Sequence, residues 1–260
     1  MDSFAISSQV AQLLPRMQVV VVVARNVQGS ATTHERVRAF AESAQSTAKS
    51  THAKLSALPN AQSHPLITRY RDTLKKAVSL SAKKFPQSNE SLYKRLIKEG
   101  SAPRPINPLV DFYNAVSIKH GVTAGAFDLA DLATLPSSSS APASLELRLS
   151  GSSDTFLALD AAPDSDPVPI PPGEISYARG NIILTRHLAW RQSSQGLVQE
   201  GTRDVVFVSE IFNEQDSAEA SELAKAVETD LVNGLRDFFD VAEPSKSILG
   251  QGLDRLSTPL

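Results

Sequence analysis

The chain has no cysteine, no long apolar run and almost no net charge, and each lack closes a class of function. Without cysteine there is no disulfide framework, no thiolate-bound zinc and no thiol nucleophile. The longest apolar run, Val19 to Ala24, falls far below the roughly 20 residues needed to cross a bilayer. It follows Arg16 and lacks the architecture of a secretory signal. A formal charge of -2 argues against a dedicated sequence-independent nucleic-acid binder. Neither a Walker loop nor a GxGxxG fingerprint is present, which sets aside nucleotide binding through a glycine-rich phosphate cradle. His34, His52, His64, His120 and His187 keep no metal-ligand spacing, and Gly151-Ser152-Ser153 is not a nucleophile elbow, so zinc and serine-triad hydrolases are set aside. These absences predict a cytoplasmic protein with no membrane contact, no metal and no cofactor.

What is present describes a globular protein of 260 residues, 41% apolar and 21% charged, long enough for one large domain or two small ones. The charge is unevenly spread. From Arg69 to Arg104 there are ten basic and three acidic residues, whereas from Glu200 onward there are 13 acidic and five basic. The basic stretch, with Arg71, Lys75, Lys76, Lys83 and Lys84, is either a set of solvated helix faces or a face that binds phosphates.

Periodicity predicts a short helix over Ser7 to Leu14, stopped by Pro15, and a central strand over Gln18 to Arg25, whose five consecutive valines suit an extended segment covered on both sides. A long helix follows from Thr33 to Ser56, with Val37, Phe40, Ala44, Ala48 and Leu55 on one stripe and Pro59 and Asn60 ending it. A third helix, Pro65 to Ser79, buries Ile67, Tyr70, Leu74 and Val78. The next has Ser88 as N-cap, Leu92, Leu96 and Ile97 inward, and Gly100 at its end. The helix after Asn107 puts Leu109, Val110, Tyr113, Val116 and Ser117 on one face, leaves Asp111, Asn114 and Lys119 away from it, and stops at Gly121. It runs into a small-residue turn presenting Asp128.

After about Leu132 the chain changes character. Pro136 to Pro142 and the proline-rich Ala161 to Pro172 read as loops. Leu145 to Leu149, Phe156 to Leu159, Glu174 to Ala178, Ile182 to Trp190 and Asp204 to Phe212 read as strands. A helix from Asp216 to Phe239 carries the stripe Leu223, Val227, Leu231, Leu235 and Phe238, which suits a cover for a sheet. Helices first, strands later and a covering helix predict an α+β fold.

Polar residues stand out where they are least expected. Arg186 to Ser193 gathers two guanidiniums, an indole and an amide at the end of a strand. Strict alternation would put Arg186, Leu188 and Trp190 on one side and His187, Ala189 and Arg191 on the other. Trp190 is either a half-buried core aromatic or a stacking platform; Arg191 and Gln192 either hydrogen-bond a carboxyl, phosphate or ribose or close a loop. Glu174 is delivered onto a strand by Pro171-Pro172-Gly173. Asn114 is a poor helix former in mid-helix, which suggests a polar task.

Three segments then point the same way: Ser91-Leu92-Tyr93-Lys94-Arg95-Leu96, Ile106-Asn107-Pro108-Leu109-Val110-Asp111-Phe112-Tyr113-Asn114-Ala115-Val116-Ser117, and Gly125-Ala126-Phe127-Asp128-Leu129-Ala130-Asp131-Leu132. Together they resemble the B3/B4 domain of the β subunit of bacterial-type phenylalanyl-tRNA synthetase. Pro171 to Tyr177, Arg186 to Gln192 and Thr202 resemble the free-standing branch of that family. The resemblance implies a B3/B4-type α+β fold with a helix-rich first half, a mainly antiparallel strand-rich second half and a covering C-terminal helix. It implies one domain over 1–242, with a B3-like part over about 1–132 and a B4-like part over about 145–242, and leaves 243–260 as a loosely held tail. In the synthetase the domain hydrolyses tyrosine wrongly attached to its tRNA. The implied partner here is therefore tRNA or aminoacyl-tRNA, with an amino-acid ligand as the alternative, and oligomeric state is left open.

The family's Thr-Asn pair falls on Tyr113 and Asn114, and its pocket histidine on Gly125, so the asparagine is kept and the imidazole is missing. Glu174 and Glu210 are both candidates for the pocket glutamate. The implied pocket is Tyr113, Asn114, Gly125, Asp128, Glu174, Arg186, Trp190, Arg191, Gln192 and Thr202, with no catalytic group assigned. Arg71, Lys75, Lys76, Lys83 and Lys84 are the implied contacts to tRNA phosphates. The implied activity is a stand-alone aminoacyl-tRNA deacylase, and the alternative is a binding module without turnover.

Overall fold

A computed structural model describes residues 3–54, 60–99, 104–136, 144–162, 164–212, 221–250 and 256–260. In chain order the elements are β1 (Ser3–Ile6), α1 (Ser8–Leu13), β2 (Met17–Ala24), α2 (Ala31–Lys54), a 3-10 turn at Ala61–Ser63, α3 (Pro65–Val78), α4 (Ser88–Glu99), α5 (Pro108–His120), β3 (Gly125–Asp128) and α6 (Leu129–Thr134). They continue through β4 (Leu145–Leu149), β5 (Thr155–Phe156), β6 (Val168–Pro169), β7 (Ile175–Arg179), β8 (Ile182–Arg186), β9 (Arg191–Gln192), β10 (Val205–Phe212), α7 (Glu222–Phe239), β11 (Ser245–Gly250) and β12 (Ser257–Pro259). The fold is α+β, with six of the helices before residue 136 and most strands after it. None of the described helices is long and apolar enough to cross a membrane.

The strands form two sheets. The smaller runs β11-β2-β10-β3, antiparallel throughout. The larger runs β12-β1-β4-β7-β8-β5-β6, with β9 on β8; its pairs are antiparallel except β1 with β4 and β5 with β8. All eight residues of β2 are buried, and alternation of side chains along the strand explains how. Val19, Val21 and Val23 enter a core shared with Leu145, Leu147, Ile175 and Leu184 of the larger sheet. Val20 and Val22 enter a second core with Val37 of α2, Phe112 and Val116 of α5, and Val227, Leu231 and Leu235 of α7. The smaller sheet is thus the middle of three layers.

Several sequence expectations need correction. The helix α5 is buried almost all round, with Phe112, Ala115 and Ile118 inside as well as the expected face, because it is clasped by α2, α7 and α4. Its position is pinned at the C-terminal end: Asn89 Nδ2 donates to the Gly121 carbonyl at 3.0 Å and Tyr93 Oη to that of Ile118 at 2.9 Å. The predicted turn before Asp128 is the strand β3. The predicted strand over Phe156 to Leu159 is only the two-residue β5, and β6 lies within the predicted proline-rich loop. The described parts of the tail beyond Pro244 are paired, β11 along β2 and β12 along β1; each satisfies the open backbone edge of its neighbour. Each sheet draws strands from both sides of residues 132–145. Leu55 and Pro59, Gly100, most of the serine-rich loop and the expected helix start at Asp216 lie outside the described residues.

The packing between α5 and α7 is tight at Gly234. A Cβ there would run into the Phe112 ring, which is fully buried. Ala is about 1 kcal/mol better than Gly in a helix interior, but overpacking a filled core costs about 1–3 kcal/mol, and the ring has nowhere to go. Gly234→Ala should therefore lower stability in urea denaturation, against the helix-propensity expectation.

Candidate functional site

Where β3, the edge of the smaller sheet, faces the end of the larger one, a cleft of about 190 Å³ opens. Its walls come from α5 (Tyr113, Asn114), β3 (Gly125, Ala126, Phe127), the start of α4 (Ser88) and the segment from Leu188 to Gln192. Tyr177 of β7 and Val208 and Glu210 of β10 also line it. Glu210 shares the parity of Val206, Val208 and Phe212, which face the larger sheet, so alternation alone sends its carboxyl between the sheets.

That carboxyl is 2% exposed and held entirely by neutral groups. Tyr177 Oη donates to Oε1, and Thr123 Oγ1 donates to Oε2 at 2.5 Å. Tyr70 Oη donates to the Glu210 backbone carbonyl, which Thr123 Oγ1 also reaches at 3.2 Å. Burial pushes the Glu210 carboxyl above its ordinary range, an effect only partly offset by the bonds from Thr123 and Tyr177. Burial, and then the neighbouring Glu210, push the Tyr177 phenol well up, so it stays a donor. The pairing of β7 with β8 shifts register between Tyr177 and Ala178, the kind of irregularity that re-aims a side chain beside a site.

The Leu188 to Gln192 wall exists because β8 stops early. The expected strand to Trp190 ends at Arg186, and the chain reverses through His187 and Leu188, whose φ values are 49° and 70°. Two consecutive non-glycine residues in the left-handed region require support. Leu188 N–H donates to the Ile175 carbonyl at 2.6 Å, and Thr185 Oγ1 donates to the Leu188 carbonyl at 2.8 Å. Buried Gln87 brackets the turn with its amide, donating to the His187 carbonyl at 3.1 Å and accepting from Ala189 N–H at 3.0 Å. The expected alternation of Arg186 to Arg191 is therefore lost. Trp190 is half-buried, edge-on to Phe85 at 4.7 Å, with the Arg186 and Arg191 guanidiniums 5.7 and 5.9 Å from its ring.

Of the ten residues implied for the pocket, Tyr113, Asn114, Gly125, Trp190, Arg191 and Gln192 line this cleft. The other four do not. Asp128 caps α6, accepting from Ala130 and Asp131 N–H, and its second oxygen accepts from Thr202 Oγ1 at 2.6 Å. Thr202 borders a separate cavity of about 360 Å³ with His34, Asn107 and Arg203. Glu174 and Arg186 pair with each other, Arg186 Nε lying 2.8 Å from Glu174 Oε2. Of the two glutamate candidates, only Glu210 lines the cleft. A Cβ on Gly125 would meet nothing within 4 Å, so the cleft has room for a side chain there.

Ser88, Tyr177 and Thr123 were missed as site residues. Ser88 is the first residue of α4, and its Oγ is buried without a hydrogen-bond partner while lining the cleft. A serine before an apolar helix reads as a cap, which hides any other task. Tyr177 and Thr123 sit in apolar surroundings with no local signal; only the meeting of two sheets brings them to Glu210.

Beside the cleft lies a basic groove of about 700 Å³ lined by Arg71, Lys83, Lys94 and Arg95 together with Glu90. Arg71 is neutralised by Glu90, its Nη1 lying 2.8 and 2.9 Å from the two carboxylate oxygens. Lys83, Lys94 and Arg95 are exposed and have no ion-pair partner among the described residues. Lys75, Lys76 and Lys84 are exposed outside the groove lining. The stretch from Ala82 to Ser91 borders both spaces, with Lys83, Pro86, Glu90 and Ser91 on the groove and Ser88 on the cleft. Among the described residues, no group of three or more histidines or carboxylates is placed to hold a metal ion.

The model of a family described as the B3/4 domain matches residues 74–232, which contain nearly all of the cleft and groove lining. No curated protein matches the chain. Among solved structures, the chain is similar to an N-terminal fragment of the phenylalanyl-tRNA synthetase β-subunit from Pyrococcus horikoshii, at 8% identity and a TM-score of 0.38 over 94% of this chain. The match covers 49% of that fragment, so the chain spans about half its length.

The buried carboxyl makes stability depend on pH. A carboxyl whose folded value is raised contributes stability that is fully present below the ordinary glutamate range and is lost as pH rises through the raised value. Glu210→Gln keeps the shape and cannot titrate. The wild type should therefore lose stability relative to Glu210→Gln as pH rises above the ordinary glutamate value of about 4, measured by urea denaturation; parallel pH profiles would mean that Glu210 is charged in the fold at no cost.

Proposed function

The chain belongs to the B3/4 domain family, and on that footing we propose that it hydrolyses the ester of a mischarged aminoacyl-tRNA in trans. The observation that carries the proposal is the juxtaposition of a small cleft and a basic groove on the two sides of one segment, Ala82 to Ser91. The cleft takes the aminoacyl end of the chain's substrate. Lys83, Lys94 and Arg95 meet phosphates on the approach, as cations that make no ion pair of their own. Asn114, whose side chain makes no hydrogen bond to another described residue, is free to hold the ester or the attacking water.

An aminoacyl ester is already activated, so positioning water and stabilising the developing oxyanion supply most of what hydrolysis requires. That chemistry suits a cleft in which Asn114, Tyr113 Oη and Ser88 Oγ are neutral polar groups. It also suits a site where no imidazole lines the wall. The same lack favours a second reading, a module that binds tRNA or an amino acid without turnover.

Two experiments separate these readings. In a panel of misacylated tRNAs, at least one ester should be hydrolysed faster with the protein, and Asn114→Ala should slow that reaction about 100-fold, the usual effect of removing one stabilising donor. Binding of tRNA without accelerated loss of any ester would leave the binding module standing. Changing Lys83, Lys94 and Arg95 together to alanine should weaken tRNA binding and flatten its dependence on salt, by about 0.7–0.9 in the log–log slope for each phosphate no longer neutralised. An unchanged slope would remove the groove from the tRNA path.

A further inference from the structure

The polar groups lining the cleft fall into two sets. Ser88 Oγ is buried without a partner, and Tyr113 and Asn114 make no side-chain hydrogen bond among the described residues. Thr185, Tyr177 and Glu210, by contrast, are already bonded within the fold. Thr185 Oγ1 donates to the Leu188 carbonyl at 2.8 Å and accepts from Tyr177 N–H at 3.4 Å. Glu210 holds Tyr177 on one oxygen and Thr123 on the other. Ala124, Phe127, Leu188, Val208 and the Tyr177 ring supply apolar lining.

Burial favours the uncharged form of the Glu210 carboxyl, and Tyr177 Oη on Oε1 and Thr123 Oγ1 on Oε2 and on the Glu210 backbone carbonyl close the network around it. The groups bonded to this carboxyl are hydroxyls, with no cation among them. The chain thus supplies its own phenol to the buried acid, and a ligand side chain reaching Tyr177 and Glu210 finds both carboxyl oxygens already bonded. A hydroxyl or ammonium group there would lose its water and have to share Glu210 with Tyr177 and Thr123, a poor exchange for a polar group and more so for a charge.

We propose that the cleft selects an aminoacyl group with a small, uncharged, apolar side chain, held by its polar end at Ser88, Tyr113 and Asn114, with Tyr177 as the residue that enforces this by occupying Glu210. The proposal rests on the aminoacyl-tRNA reading and names its substrate class. The pair that tests it is valine and threonine, which have nearly the same shape and differ by one hydroxyl.

Binding of non-hydrolysable 3′-amide-linked valyl-, threonyl- and lysyl-adenosine to the full chain can be measured by calorimetry. The valyl compound should bind about 10- to 100-fold more tightly than the threonyl one, the range an apolar site achieves against an added hydroxyl. Tyr177→Phe keeps the ring but frees one Glu210 oxygen, so it should narrow that ratio. Threonyl- or lysyl-adenosine bound as tightly as the valyl compound by the wild type overturns the proposal while leaving the aminoacyl-tRNA reading intact. Failure of all three to bind better than adenosine itself removes both. The wild-type ratio decides the matter even where Tyr177→Phe does not fold.

Discussion

The structure depends on one strand being buried on both faces. β2 sends Val19, Val21 and Val23 toward the larger sheet and Val20 and Val22 toward the helices α2, α5 and α7. A strand of that kind has no solvated side, so its neighbours β10 and β11 must complete its backbone pairing, and layers must cover both of its faces. The C-terminal strand β11 is therefore part of the core architecture, although its own sequence is polar.

The site follows from the same layering. Because β10 is held against β2 in register, its even-numbered residues look into the space between the sheets, and Glu210 is one of them. A lone carboxyl in that space needs hydrogen-bond partners, and Tyr177 and Thr123 provide them from a different sheet and a different loop. The cleft lies where this inter-sheet space reaches the surface, beyond the edge strand β3. The early end of β8 then turns Trp190, Arg191 and Gln192 onto the opening, with Gln87 holding the reversal.

Much of the fold was legible in the chain itself. The valine run, the helix ends at Ser79 and Gly121 and the stripe of α7 are local signals, and each element formed close to where its pattern placed it. Misreadings occurred where a distant contact outweighed the local pattern. β8 carried an apolar run to Trp190 but was cut short by a turn whose support comes from Gln87, about 100 residues away in sequence. The tail looked loose because polar strands at a sheet edge have weak periodicity, while pairing to β1 and β2 is a matter of backbone hydrogen bonds that side-chain patterns do not report.

The sequence by itself determined the doubly covered valine strand, the covering helix, the family resemblance and the two halves of the cleft wall around Asn114 and Gly125, because these rest on residues close together in the chain. Only the tertiary structure decided which polar residues are partners and which face open space. It paired Asp128 with Thr202 and Glu174 with Arg186, taking four expected ligand-binding groups out of the cleft. It put Ser88 into the cleft wall and set Tyr177 against Glu210, residues drawn together from different elements. A carboxyl's role depends on what fills its hydrogen bonds, and sequence spacing carries no information about donors that arrive from another sheet.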